Sequence, residues 1–249
     1  MTTATQRPPE LPGQTVVVIG GSSGIGLETA RRARTEGADV ILTGRDPEHL
    51  EQAAKEVDAR STAAFDATDP AALQGFFGNL PEPIDHVMVT AGGQYYARLA
   101  DMDFAQARHA IDEHLMMALQ ATRYAAGKMR PGGTLLFMTG TGARRPGVSL
   151  SIAAIQAAAM PALIANLAVE VAPVRVNLIA AGFVDTPLSA SLLGGDLDKR
   201  RAQLRATLPI RRVVGPADVA ALAVHIMTNT ALTGATYDVD GGEQLVPGA

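Results

Sequence analysis

Five short runs of β-branched and apolar residues punctuate the chain: Thr15-Ile19, Val40-Thr43, Val87-Val89, Thr134-Met138 and Val174-Ile179. They lack regular polar alternation, so each reads as a strand buried on both faces. Longer stretches of helical periodicity separate them: Ile25-Glu36, Glu48-Val57, Ala71-Phe77, Phe104-Ala126, Ile152-Val171 and Ala217-Met227. Buried strands that alternate with helices predict an α/β fold, a doubly wound parallel sheet with helices on both faces. Asp46-Pro47 and Asp69-Pro70 mark two helix starts, each placing a capping carboxylate before a proline whose missing amide hydrogen costs nothing at the first helical position.

At 249 residues the chain suits a single α/β domain, expected over 14-249. The proline-rich start, 1-13, is expected to be a disordered tail, and 186-214, which lacks a strand pattern, to form a substrate lid. A net charge of -4 argues against a nucleic-acid partner, and the Arg144-Arg145, Lys199-Arg201 and Arg211-Arg212 clusters read as solvated faces. The absence of cysteine removes disulfides, thiolate nucleophiles and cysteine metal sites, and no metal is expected. No secretory pattern and no uninterrupted apolar run of membrane-spanning length stand out, which makes the cytoplasm the expected location, with no membrane partner.

Candidate chemistry begins at the first strand. Val16-Ile19 leads through Gly20-Gly21-Ser22-Ser23-Gly24-Ile25-Gly26 into an amphipathic helix, the order that a Rossmann-type phosphate cradle requires. Glycines permit close backbone approach, and the helix start offers free amide hydrogens and a positive dipole end to a pyrophosphate. Cofactor choice is written at the end of the second strand, where an acid would accept from a ribose 2'-hydroxyl and an arginine would pair with a 2'-phosphate. Thr43-Gly44-Arg45 supplies the arginine, while the neighbouring Asp46 already has a role as a helix cap. NADP(H) is therefore favoured over NAD(H).

The spacing Gly20-x-x-x-Gly24-Ile25-Gly26 resembles that of the short-chain dehydrogenase/reductase family, and further landmarks follow in register over Thr15 to Val246. Asp66 is similar to the family's adenine-side aspartate, and Thr90-Ala91-Gly92 to the end of its Asn-Asn-Ala-Gly strand motif. Gly182-Phe183-Val184-Asp185-Thr186-Pro187 and Val239-Asp240-Gly241-Gly242 resemble its later signatures. The resemblance implies that Ala91, Gly92, Gly182, Val184 and Thr186 approach the cofactor and that the chain forms a homodimer or homotetramer. It also implies a catalytic tyrosine, a lysine one helical turn later, a serine and an asparagine.

Here the pattern breaks. The tyrosine and lysine positions hold Ala153 and Ala157, the serine position falls at Gly140 between Thr139 and Thr141, and the asparagine position holds His114. Candidate proton donors are accordingly His114, Tyr95, Tyr96, or a water held by Thr139 or Thr141. Pro161, inside the same helix, removes an amide donor four residues after Ala157 and is expected to kink it. The expected function is NADP(H)-dependent reduction or oxidation of a small carbonyl or alcohol with an unconventional proton donor. A catalytically silent NADP(H) sensor or partner-binding module, and a non-redox enzyme using the same cleft, remain open readings.

Overall fold

In the computed structural model of the chain, which describes residues 10–246, seven strands join one sheet among the described residues. Chain order runs β1 (Thr15–Ile19), α1 (Gly24–Thr35), β2 (Asp39–Gly44), α2 (Pro47–Val57), β3 (Ser61–Ala64), α3 (Pro70–Asn79) and β4 (Ile84–Val89). It continues through α4 (Phe104–Ala126), β5 (Met129–Gly140), α5 (Ser151–Glu170), β6 (Arg175–Ala181), α6 (Pro187–Leu193), α7 (Leu197–Thr207), α8 (Pro216–Thr228) and β7 (Thr236–Val239). All strand pairs are parallel in the order β3-β2-β1-β4-β5-β6-β7. Strand order reverses between β1 and β4, so the connections leaving their carboxyl ends diverge to opposite sides and open a crevice.

Side-chain alternation along β1 divides the core. Val17 and Ile19 pack with Phe77, Ala121 and Ile164 on the face covered by α3, α4 and α5. Val16 and Val18 pack with Ala30, Leu50 and Val219 on the face covered by α1, α2 and α8. Burying both faces of each central strand explains the unalternating apolar runs. Asp46 and Asp69 accept the first amides of α2 and α3 as expected, with Glu48 N 2.9 Å from Asp46 Oδ1 and Ala71 N 2.9 Å from Asp69 Oδ1.

Several expectations change. β3 and β7 join the sheet without a buried apolar run, because both are edge strands whose outer ladder faces carry no neighbour. Residues 1–9 of the expected tail lie outside the described residues, but Leu11 is fully buried and its amide donates to Glu36 O, so the ordered chain starts before residue 14. α5 runs from Ser151 to Glu170 as one helix across Pro161, without a break at the expected kink. By length and composition it is also apolar enough to cross a membrane, with a mean hydropathy of 1.8, although polar Gln156 and Asn166 interrupt it. Its inner face, with Met160, Ile164 and Leu167, is committed to the core beside β5 and β6.

Candidate active site

The glycine-rich turn is shaped by contacts that leave no room for side chains. Gly20 has φ +90°, and a Cβ there would lie 2.7 Å from Thr90 Oγ1 and 2.8 Å from Ala91 N. At Gly26 a Cβ would stand 2.2 Å from Gly20 O, so the turn closes onto the first helical turn only without one. The Thr90 hydroxyl, 3.2 Å from Ile19 O and 3.0 Å from Gly20 O, ties the turn to the end of β4. Ser23 is the extended N-cap of α1, yet its side chain caps no amide. The leading amides of α1 therefore have neither an intrahelical acceptor nor a side-chain cap, which suits an anion. Gly24 faces Thr186, with 3.6 Å between a built Cβ and Thr186 Cβ, so the segment after β6 closes over the cradle. Thr186 is held by a reciprocal capping box with Ser189 at the start of α6.

Farther out along the strand ends, Arg45 follows β2 and is exposed. Ser22 reaches the same point: its Oγ lies 3.0 Å from a Cβ built on Gly44. Asp46 turns away into its capping role, and hydrogen bonds from the His49 and Glu48 amides hold its carboxyl below the usual range. Asp66 Oδ1 accepts from Thr68 N at 3.0 Å and Thr68 Oγ1 at 2.8 Å. The Thr68 amide is the main cause of its lowered pKa, with a smaller contribution from Arg45. One Asp66 oxygen thus fixes its own loop.

The crevice at the carboxyl ends of β1, β4, β5 and β6 is a cleft of about 440 Å³, within the size range of small-molecule sites. Gly20, Ser23, Gly24, Ile25 and Gly26 line one end of it. Ala91 and Gly92, with Gly182, Val184 and Thr186, line its two walls, and Leu188, Leu192 and Arg200 from the 186-214 segment cover it. Arg200 Nη2 bonds buried Glu243 Oε1 at 2.6 Å, and Glu243 Oε2 in turn accepts from Phe183 N at 3.0 Å. This links α7 to the turn after β7.

Of the candidate donors, His114, Tyr96 and Thr139 reach the cleft. Burial, partly opposed by a hydrogen bond to the Ala110 carbonyl and by Glu113, pushes the His114 imidazole below its ordinary range and so favours the uncharged ring. Burial raises the Tyr96 phenol. Tyr95 and Thr141 fall outside. The Tyr95 hydroxyl accepts from Asp103 N at 2.9 Å and packs beside α4, while Thr141 is fully buried and lies against Ala181 O. Ala153 lines the cleft and Ala157 is buried behind it, so no tyrosine or lysine side chain stands in α5 here. Gln156, which sequence reasoning passed over, is buried and lines the cleft.

A family model described as Enoyl-(Acyl carrier protein) reductase matches residues 19–244. The chain belongs to the short-chain dehydrogenase/reductase family. It is 27% identical over 255 residues to the short-chain dehydrogenase/reductase ATR9 of Stachybotrys chlorohalonatus, covering 95% of this chain and 99% of that protein. The structure of MalC Reductase/Diels-Alderase from Malbranchea aurantiaca shares the fold, with a TM-score of 0.89 at 24% identity over 96% of this chain and 99% of that one. A short chain dehydrogenase from Burkholderia cenocepacia J2315, solved in complex with NADP, is 25% identical with a TM-score of 0.84, covering 93% and 98% of the two chains.

Proposed function

We propose that the protein is an NADP(H)-dependent oxidoreductase acting on a small carbonyl or alcohol, with a proton-delivery arrangement that does without the family's tyrosine and lysine. The observation that carries the reading is the cradle: glycines that a Cβ would close, uncapped leading amides on α1, and Arg45 with Ser22 at the end of β2. The dipole end and amides of α1 would hold the pyrophosphate, and Arg45 a 2'-phosphate, as a planar donor fork does well. The complex of the Burkholderia relative with NADP supports the same choice. Bound there, the nicotinamide supplies hydride chemistry. Val184 and Thr186 wall the far end of the cleft, and the segment over it acts as a lid that excludes water. Of the candidate donors, His114, Tyr96 and Thr139 line the cleft where a substrate oxygen would sit.

Without a paired acid the chemistry is slower, by roughly the 10²–10⁴-fold that a positioned donor contributes. NADPH oxidation should be measurable in the presence of one or more of a panel of ketones and aldehydes. Tight NADPH binding without turnover of any of them would favour the silent binding module, the reading that buried Ala153 and Ala157 support. Product formation without net cofactor oxidation would favour non-redox chemistry.

A further inference from the structure

The cleft contains a side-chain pair whose hydrogen-bond arithmetic determines what it offers a ligand. Gln156 stands on α5 between Ala153 and Ala157, and only 3% of its surface is exposed. Its Nε2 lies 2.7 Å from Ala110 O and 3.2 Å from Nδ1 of His114. A carbonyl oxygen can only accept, so the amide must face it with its NH2 group, which fixes the orientation of the whole side chain. One hydrogen of that group serves Ala110 O. The other reaches Nδ1 of His114, which accepts it in the Nε2–H tautomer; in the Nδ1–H tautomer the ring would instead donate to Ala110 O, which also lies within its reach. A neutral imidazole carries one hydrogen, and because Ala110 O already takes the first Gln156 hydrogen at 2.7 Å, the pairing that satisfies both Gln156 hydrogens puts it on Nε2.

The ring also occupies a defined place. A Cβ built on Gly92 would be 3.3 Å from its Cε1 and 3.7 Å from each ring nitrogen, so the face of the imidazole covers the backbone at the end of β4, where a side chain at 92 would otherwise project. The charged group beside it on α4 is Glu113, which is paired with His109 at 3.3 Å, and Tyr96 lines the same cleft from the loop after β4. From α5, Ala153 and Gln156 line the cleft and Ile152 packs against Ala110, so this helix brings no charge to the wall.

We propose that Gln156 is a positioning residue that holds His114 as the Nε2–H tautomer, so that a substrate oxygen in the cleft meets a neutral hydrogen-bond donor. The substrate oxygen rests on the oxidoreductase reading above; the tautomer does not. A neutral imidazole would have to become an anion to give up this hydrogen, so its contribution is to stabilise developing negative charge. In the reducing direction the carbonyl carbon gains a bond to hydride from a dihydronicotinamide, and the π pair moves to oxygen. That oxygen is held by Nε2–H and takes its proton from water, leaving hydroxide to the solvent. His114 ends the step unchanged.

The direct test is a two-bond proton–nitrogen correlation spectrum of the full chain labelled with 15N-histidine, with His114 assigned by its loss in His114→Gln. At pH 7.5 the expected pattern has the hydrogen on Nε2 and a lone pair on Nδ1. In Gln156→Glu a carboxylate replaces the amide donor, which should draw a hydrogen to Nδ1 and raise the His114 titration midpoint by at least one pH unit. A hydrogen on Nδ1 in the unmodified protein would overturn the proposal, as would a Gln156→Glu titration that coincides with the original. If Gln156→Glu fails to fold, the tautomer in the unmodified protein decides alone. With a turned-over carbonyl, His114→Gln should lower kcat about 10²-fold, within the range for one oxyanion-site donor, without removing an acid limb near neutral pH. Failure to find any turnover would remove the oxidoreductase reading and leave the tautomer result standing.

Discussion

Arg45 and Asp46 are adjacent, and their environments assign them opposite tasks. Asp46 spends its carboxylate on the Glu48 and His49 amides, whereas Arg45 stays exposed at the strand end beside Ser22. Arg45→Ala should therefore weaken NADPH by about 1.5–3 kcal/mol, tenfold or more, and leave NADH almost untouched. Titration of both cofactors against both proteins checks this, and equal losses would assign Arg45 elsewhere. The cap and the cradle were legible in the sequence because both depend on short-range spacing. The separation of Tyr95 from Tyr96 was not, since it turns on whether a hydroxyl finds the Asp103 backbone eight residues away. Gln156 was invisible for a related reason: a lone glutamine in an alanine-rich helix carries no pattern, and its role appears only when α4 brings Ala110 O and His114 to it.

Among elements, α4 and α5 carry more apolar surface than the domain covers. Met116 and Leu119 on α4 are exposed, as are Ile155 and Val169 on α5, the last by 79%. The inner face of α5 already packs on the sheet, so its outer face seeks a second partner. A second copy of the chain is the expected partner, forming a homodimer or homotetramer through these two helices. Light scattering at micromolar concentration should report a dimer or larger, and Val169→Glu should shift it toward monomer. A strictly monomeric parent protein would contradict this assignment. The helical periodicity of α4 gave its limits, Phe104 to Ala126, directly. Edge strands β3 and β7 gave no such signal, because a strand exposed along one side does not need an unbroken apolar run.

Across the whole molecule, burying both faces of a parallel sheet leaves few places for polar groups, and His86 on β4 illustrates the cost. Its Nε2 contacts Gln14 Oε1 at 2.7 Å, while burial, reinforced by the Arg175 charge, pushes its pKa down to about 4 from an ordinary 6.5. The unfolded chain therefore binds more protons between those values, and stability falls as pH drops through 6.5 toward 4. Between pH 7 and pH 5 His86 should account for about 2 kcal/mol of lost unfolding free energy. Denaturant titrations at the two pH values should show a smaller loss in His86→Gln, and an unchanged loss would place the acid sensitivity elsewhere.

The same sheet sets the cleft at the point where strand order reverses, and the account of function depends on what passes between two ligands there. The most direct measurement follows deuterium from NADPH labelled at C4 of the nicotinamide, on either face, into the alcohol product of a ketone or aldehyde panel. The account predicts one deuterium per product molecule from one labelled face, matched by NADPH consumed. Saturating NADPH binding with no deuterium transferred to any member of the panel would contradict it.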